Sequence, residues 1–196
     1  ISAHVLFEFA IRLFVGYTNR LPGMNKTLAL LFFTAVSLCA ADAPTPIEFK
    51  QGERIAFLGN SLGERMNLFG HFETLLHARF PQKELVVRNF CRPADEVGIQ
   101  QRPNDYTKLD DPLEVFGADT FICFFGYNES FAGTAGIEKF KDQYKKFIAA
   151  TNEKYGNGKA RFILVSPIAF ENSNDPLLPN GQKENQNLNL YATATA

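Results

Sequence analysis

Apolar positions along this chain follow two rhythms. Short runs that are apolar at nearly every position alternate with longer stretches where apolar residues recur every three or four. The first run is Arg54-Ile55-Ala56-Phe57-Leu58, and it halts at Gly59-Asn60-Ser61. An apolar run bounded by turn residues predicts a buried strand. Beyond it, Leu62, Met66, Phe69, Phe72, Leu76 and Phe80 are spaced as one buried helical stripe. Gly70 marks a kink or a division into two short helices, and Pro81 stops the pattern. Glu84–Asn89 reads as the second strand. Asp119–Phe125, apolar almost throughout, reads as a central third strand covered on both faces. Arg161–Val165 reads as the fourth.

Between these runs, Leu113–Phe116 predicts one helical turn. Ile137, Phe140, Tyr144, Phe147 and Ile148 predict a helix over 136–152, terminated by Gly156-Asn157-Gly158. Gln100–Asp111 is polar and proline-flanked, and reads as a surface loop. Ile168–Gln182 has little periodicity and reads as a long loop on the substrate side. Leu188, Leu190 and Tyr191 hint at a last helix, whereas 192–196 read as neither edge strand nor cap.

Strand alternating with helix predicts an α/β fold built on a doubly wound parallel sheet. Four strands are fewer than such sheets usually carry, so the expectation is a domain cut short at its C-terminal side. The domain proper spans 54–196, preceded by a linker and approach over 44–53. Met24-Asn25-Lys26, the apolar stretch Thr27–Leu38 and Ala41-Asp42-Ala43 have the order of a secretory signal peptide over 24–43. A secreted or periplasmic location follows as an expectation. The alternatives are a buried first helix of the domain and attachment through Cys39, the latter disfavoured because Leu38 stands where a lipoprotein signal wants a small residue. Residues 1–23 read as an upstream extension.

Composition changes this picture little. The 196 residues carry a net charge of −1, which gives no electrostatic footprint for nucleic acid. Cys39, Cys91 and Cys123 form no paired motif, and no metal-ligand spacing is present. Neither a metal nor a cofactor is expected.

The chemistry concentrates at three polar corners, each following a strand: Ser61, the loop from Cys91 to Asp95, and Asn128. In a parallel sheet these strand ends share one edge. A serine hydroxyl needs a base to become a nucleophile, and the oxyanion it creates needs donors. A serine on a strand-to-helix turn offers its own backbone N–H. The loop after strand two can offer a second, and the Asn128 amide a third. That arrangement suits acyl transfer or ester hydrolysis.

These residues resemble the SGNH (GDSL-type) hydrolase superfamily. Gly59-Asn60-Ser61-Leu62 is similar to its first block, usually Gly-Asp-Ser-Leu. Gly126-Tyr127-Asn128-Glu129 is similar to its third, usually Gly-x-Asn-Asp. Pro93-Ala94-Asp95 stands where the second block places a glycine, matched here by Ala94. The wording around both blocks also resembles the SGNH module that leads large secreted bacterial proteins, some carrying c-type haem domains further along. The resemblance covers about Arg54 to Ser166. It implies a three-layer α/β/α flavodoxin-like fold and a serine esterase acting on a small-molecule or carbohydrate ester, such as an O-acetyl group. Ser61 is then the nucleophile, with Ser61 N–H, Ala94 N–H and the Asn128 side chain as the oxyanion hole. Further domains of a longer protein are part of the same expectation.

Three positions depart from the family pattern: Asn60 for Asp, Ala94 for Gly, and no histidine after His77 to match the late Asp-x-x-His block. The Ala94 exchange is harmless if its φ is negative. His71 and His77 lie on the helix leading away from Ser61. Ten helical residues span about 15 Å, far beyond the roughly 3 Å reach of a base. The base is therefore expected from a block outside this sequence, and the chain alone is expected to be inactive. Asp95 and Glu96 either line the site or cap a helix. Glu129 is a candidate for holding the Asn128 corner. Tyr127 is either a substrate platform or packing, and Cys123 is inert core.

Rival folds fail on particular residues. A dinucleotide site wants Gly-x-Gly-x-x-Gly and an acidic end to strand two, but the chain has Gly59-Asn60-Ser61-Leu62-Gly63 and Arg88-Asn89. The α/β-hydrolase elbow does not fit either. The remaining alternative is a catalytically inactive SGNH-like module that binds carbohydrate or acts as a scaffold in an envelope protein.

Overall fold

Among the described residues, four parallel strands carry the fold in the order β2-β1-β3-β4. The structure is a computed structural model that describes residues 46–100 and 111–196. The expected extension (1–23), signal peptide (24–43) and most of the Gln100–Asp111 loop lie outside the described residues. The strands are β1 (Arg54–Gly59), β2 (Val86–Asn89), β3 (Thr120–Phe124) and β4 (Arg161–Val165). The helices are α1 (Ser61–Phe69), α2 (His71–Arg79), α3 (Pro112–Phe116), α4 (Ile137–Tyr155) and α5 (Gln182–Thr195). A 3₁₀ segment, Glu129–Gly136, precedes α4.

This is the expected α/β fold, and the strand order is that of flavodoxin-like sheets. Register puts Phe57 opposite Asn89, Gly59 opposite Phe124, and Phe124 opposite Val165. All four carboxyl ends therefore meet along one edge.

Alternation along each strand divides the core into two layers, because successive side chains point to opposite faces. Ala56, Leu58, Phe121 and Cys123 face α3, α4 and α5, packing with Leu113, Phe116, Phe140, Tyr144 and Tyr191. Ile55, Phe57, Ile122 and Phe124 face α1 and α2, packing with Leu62, Met66, Leu76 and Phe80. Phe57 is fully buried and meets Phe72 and Phe124 edge-on at 5.4 and 5.6 Å. Burying one such ring stabilises by about 1.5–3 kcal/mol.

Of the two readings at Gly70, the division into two short helices is the one observed, and the continuous buried stripe is corrected at Phe69. Gly70 adopts φ +61° and ends α1, with its N–H on the Met66 carbonyl. The left-handed residue resets the helical phase. Phe69, the last residue of α1, turns out to solvent at 68% exposure, while Leu76 on α2 is buried.

The approach to the domain is more than a linker. Phe49 and Glu53 are buried. Glu53 accepts from Thr120 Oγ1 and from Arg161 Nη2 at 2.6 Å, and Arg161 Nη1 reaches the Glu48 carbonyl at 2.7 Å. This staple joins the start of the domain to β3 and β4 at the amino edge of the sheet. At the other end of the chain, 192–195 continue α5 rather than trailing as irregular chain. Tyr191 OH donates to the Gly133 carbonyl at 3.0 Å and fixes α5 against the 3₁₀ segment.

Candidate active site

The first corner is built around a glycine that has no substitute. Gly59 has φ +137°, and a Cβ there would lie 2.3 Å from the Phe124 carbonyl oxygen. The next residue, Asn60, is buried. It donates its N–H to that same carbonyl at 3.0 Å. Its Oδ1 accepts from the Leu62 N–H at 3.1 Å, and its own carbonyl takes the first helical bond from Glu64 N. Asn60 is thus the N-cap of α1. Asn and Asp cap equally well, so an Asp at this position would make the same cap.

The chain turns from strand to helix in one residue, and Ser61 becomes the first residue of α1. Ser61 is exposed, and its backbone N–H makes no hydrogen bond among the described residues. A helix N-terminus leaves such donors open and carries partial positive charge.

The second corner is the loop after β2. Arg92 N–H donates to the Gly59 carbonyl at 2.9 Å. Arg92-Pro93-Ala94-Asp95 then closes a turn, with Asp95 N–H on the Arg92 carbonyl at 3.3 Å. Proline at the second position and positive φ at the third define a type II turn. Ala94 is the third residue and has φ +65°. The condition under which the exchange would be harmless, a negative φ, is therefore not met. Alanine occupies a left-handed position that glycine holds without strain.

Asn89, at the end of β2, ties this loop to α1. Its Nδ2 donates to the Gly63 carbonyl at 2.6 Å, and its Oδ1 accepts from Cys91 N–H at 2.9 Å. Gly63 permits the approach, since a Cβ there would lie 2.4 Å from Cys91 Sγ. Sequence reasoning treated Asn89 as a strand terminus. An amide at a strand end beside the serine corner was the available signal.

The third corner follows β3. Gly126 has φ +105°. Its N–H donates to Glu129 Oε2 at 2.8 Å, while Glu129 Oε1 accepts from Val97 N–H at 2.8 Å. One buried carboxylate therefore clamps the loop after β2 to the corner after β3. Burial, the largest influence, raises its pKa; the hydrogen bonds from Val97 and Gly126 oppose this, and the net shift is upward. Asn128 Nδ2 donates to the Asp95 carbonyl at 3.1 Å. The amide nitrogen has a second hydrogen for another acceptor.

Ser61 and Asn128 line one cavity of ≈ 390 Å³, with Asn60, Leu62 and Tyr127. Its far wall is 166–168, directly after β4. The start of the Ile168–Gln182 stretch does therefore reach the site. Ala94 is not among the lining residues. It sits one residue before the carbonyl that anchors Asn128, and its N–H makes no hydrogen bond among the described residues.

Among the described lining residues there is no histidine, aspartate or glutamate, and Arg65 supplies the charge. His71 opens α2 beyond the Gly70 break and stacks on Phe69 at 6.1 Å. Neither it nor His77 lines the cavity. Asp95 is buried beneath its turn, and Glu96 pairs with Ile99 through the backbone. The Cys123 thiol is buried, and burial raises its pKa. No group of His, Cys, Asp and Glu among the described residues could hold a metal ion. No helix among them is long and apolar enough to cross a membrane.

No protein-family model and no curated protein matches the chain. Solved structures do. A gut microbial diltiazem-metabolizing enzyme superposes with a TM-score of 0.52 and 19% identity, over 74% of this chain and 34% of that one. The chain thus spans about a third of that enzyme's length. An acetyl xylan esterase aligns at TM-score 0.48 and 15% identity, over 72% and 71% of the two chains. A psychrotrophic esterase from Pseudoalteromonas sp. aligns at 0.43 and 16%, over 73% of each. The first likeness shows a shared fold.

Proposed function

We propose that this domain is an SGNH-type serine esterase that hydrolyses a carboxylic ester through an acyl-serine intermediate. The observation that carries the reading is Ser61. It is exposed at the first position of α1, has an open backbone N–H, and shares a ≈ 390 Å³ cavity with the Asn128 amide. Ser61 Oγ attacks the ester carbonyl carbon while a base takes its proton. The carbonyl oxygen gains negative charge and is met by Ser61 N–H, Ala94 N–H and Asn128 Nδ2. The C–O bond to the alcohol breaks, and the base returns its proton to the leaving alkoxide. Water then releases the acid by the reverse sequence. Removing one oxyanion donor typically costs about 2.7–4 kcal/mol in the transition state.

The base in this reading comes from an Asp-x-x-His block outside the present sequence. An O-acetyl group on a carbohydrate is the proposed substrate, met outside the cytoplasm after removal of the signal peptide. The esterase names of the aligned structures agree with this class without carrying it.

The test is hydrolysis of a short-chain acetyl ester by the full-length protein and by its Ser61→Ala variant. Turnover lost by at least about 10³-fold in the variant supports the reading, as expected when a nucleophile is removed. Equal turnover in both proteins ends it. A second reading, an SGNH-like carbohydrate-binding module without catalysis, is favoured by one observation: the described lining of the cavity offers no base. A folded full-length protein with no turnover and measurable glycan binding would select it.

A further inference from the structure

We infer that a cleft beside the Ser61 cavity is a subsite for a neutral sugar ring, centred on Phe131. The inference rests on the proposed ester reading, in which the sugar is the alcohol released at Ser61.

Phe131 is 72% exposed, although it sits in an ordered 3₁₀ segment. Its ring meets Tyr127 edge-on at 5.9 Å. Tyr127 lines the Ser61 cavity and, with Phe131, a second cavity of ≈ 120 Å³. The two spaces thus share Tyr127 as a lining residue. Across the second cavity α5 presents Lys183, Glu184 and Asn187. Spacings of three and four put these residues on neighbouring rows of one helix face. None of the three side chains makes a hydrogen bond or ion pair among the described residues.

The face is held in place. Tyr191 OH bonds the Gly133 carbonyl at 3.0 Å, and a Cβ on Gly136 would lie 2.3 Å from that hydroxyl. Asn185 clasps Phe170 with both ends of its amide, at 2.7 and 2.9 Å. α5 therefore cannot slide over Phe131 to cover it without breaking these contacts.

The chemistry selects the ligand class. An exposed ring with a flat apolar face suits the C–H face of a pyranose. One cation, one anion and one amide supply both donors and acceptors, as hydroxyl groups require. Their charges cancel, so a charged ligand would meet one like charge. An acyl chain would bury these three polar groups without partners, which is unfavourable.

The test is titration calorimetry with xylohexaose and with cellohexaose, using full-length protein carrying Ser61→Ala so that turnover plays no part. Binding of at least one hexasaccharide is expected, weakened at least fivefold by Phe131→Ala and by Asn187→Ala, and retained by Phe131→Tyr. Thermal melts confirm that each variant is folded. No binding by the parent, or equal binding by Phe131→Ala, overturns the subsite. Loss of ester turnover bears only on the proposed reaction, because this readout is binding.

Discussion

Glu129→Gln isolates the clamp that brings two loops to one edge. The carboxylate accepts Val97 N–H through one oxygen and Gly126 N–H through the other, each at 2.8 Å. Glutamine keeps one acceptor and turns an NH₂ group toward the second donor. One buried N–H is then left without a partner, at about 1–3 kcal/mol. The surviving bond loses its charge assistance, about another 1 kcal/mol. Removing a charge that burial disfavours returns part of this. The net expectation is a loss of about 1–3 kcal/mol, and Glu129→Ala, which strands both donors, loses more. Urea denaturation measures it. With a slope of about 2 kcal/mol/M, a loss of 2 kcal/mol lowers the midpoint by about 1 M. The pH dependence has a definite sign. The folded pKa of Glu129 is raised, chiefly by burial, so the native state keeps its proton to higher pH than the unfolded chain. Its contribution to stability falls as pH rises from the ordinary glutamate range through the folded value, and the glutamine variant lacks that slope. Midpoints of both variants within about 0.2 M of wild type would refute the clamp, since a slope of about 2 kcal/mol/M makes that a loss below 0.5 kcal/mol.

Three further perturbations follow. Gly59→Ala should cost more than about 3 kcal/mol, because its Cβ would be driven into the Phe124 carbonyl at 2.3 Å, and loss of soluble, cooperatively melting protein is the readout. Ala94→Gly should stabilise by about 0.5–1 kcal/mol. The left-handed cost of about 1–2 kcal/mol is relieved, less about 0.4–1 kcal/mol for glycine's freedom in the unfolded chain, and a rise in the urea midpoint checks it. Asp111 is opposed by burial but held below the ordinary carboxylate range by Lys154, Tyr155 and the Leu113 N–H. Its stabilisation is complete above the unfolded aspartate pKa and is lost as pH falls through the lower folded value. Asp111→Asn should therefore flatten the acid side of the stability–pH profile, as read by melts across that range.

The strands could be read from sequence because each holds an apolar run ended by a turn residue, and for β1 and β3 burial demands the run. Ser61 and Asn128 could be placed at one edge because parallel strands leave no other arrangement. The exposed Phe69 could not be foreseen. Whether Gly70 continues a helix or resets its phase depends on φ, and glycine adopts either sign. The φ of Ala94 was hidden for a related reason. Pro93 announces a turn, but its type goes with two backbone bonds, Asp95 N–H to the Arg92 carbonyl and Arg92 N–H to the Gly59 carbonyl. The Glu129 clamp joins positions thirty-two residues apart, Val97 and Glu129, and no local pattern encodes such a pairing. The aromatic wall between Tyr127 and Phe131 is local in sequence, but its cavity forms only when α5 packs across it.

The central claim is that Ser61 is the nucleophile. Intact-mass measurement of the full-length protein after treatment with a fluorophosphonate tests it most directly, because the reagent bonds only to an activated serine. The account predicts a single adduct, mapped to Ser61 by fragmentation and absent from Ser61→Ala. A folded protein that takes no adduct, or one that takes it equally in Ser61→Ala, would contradict it.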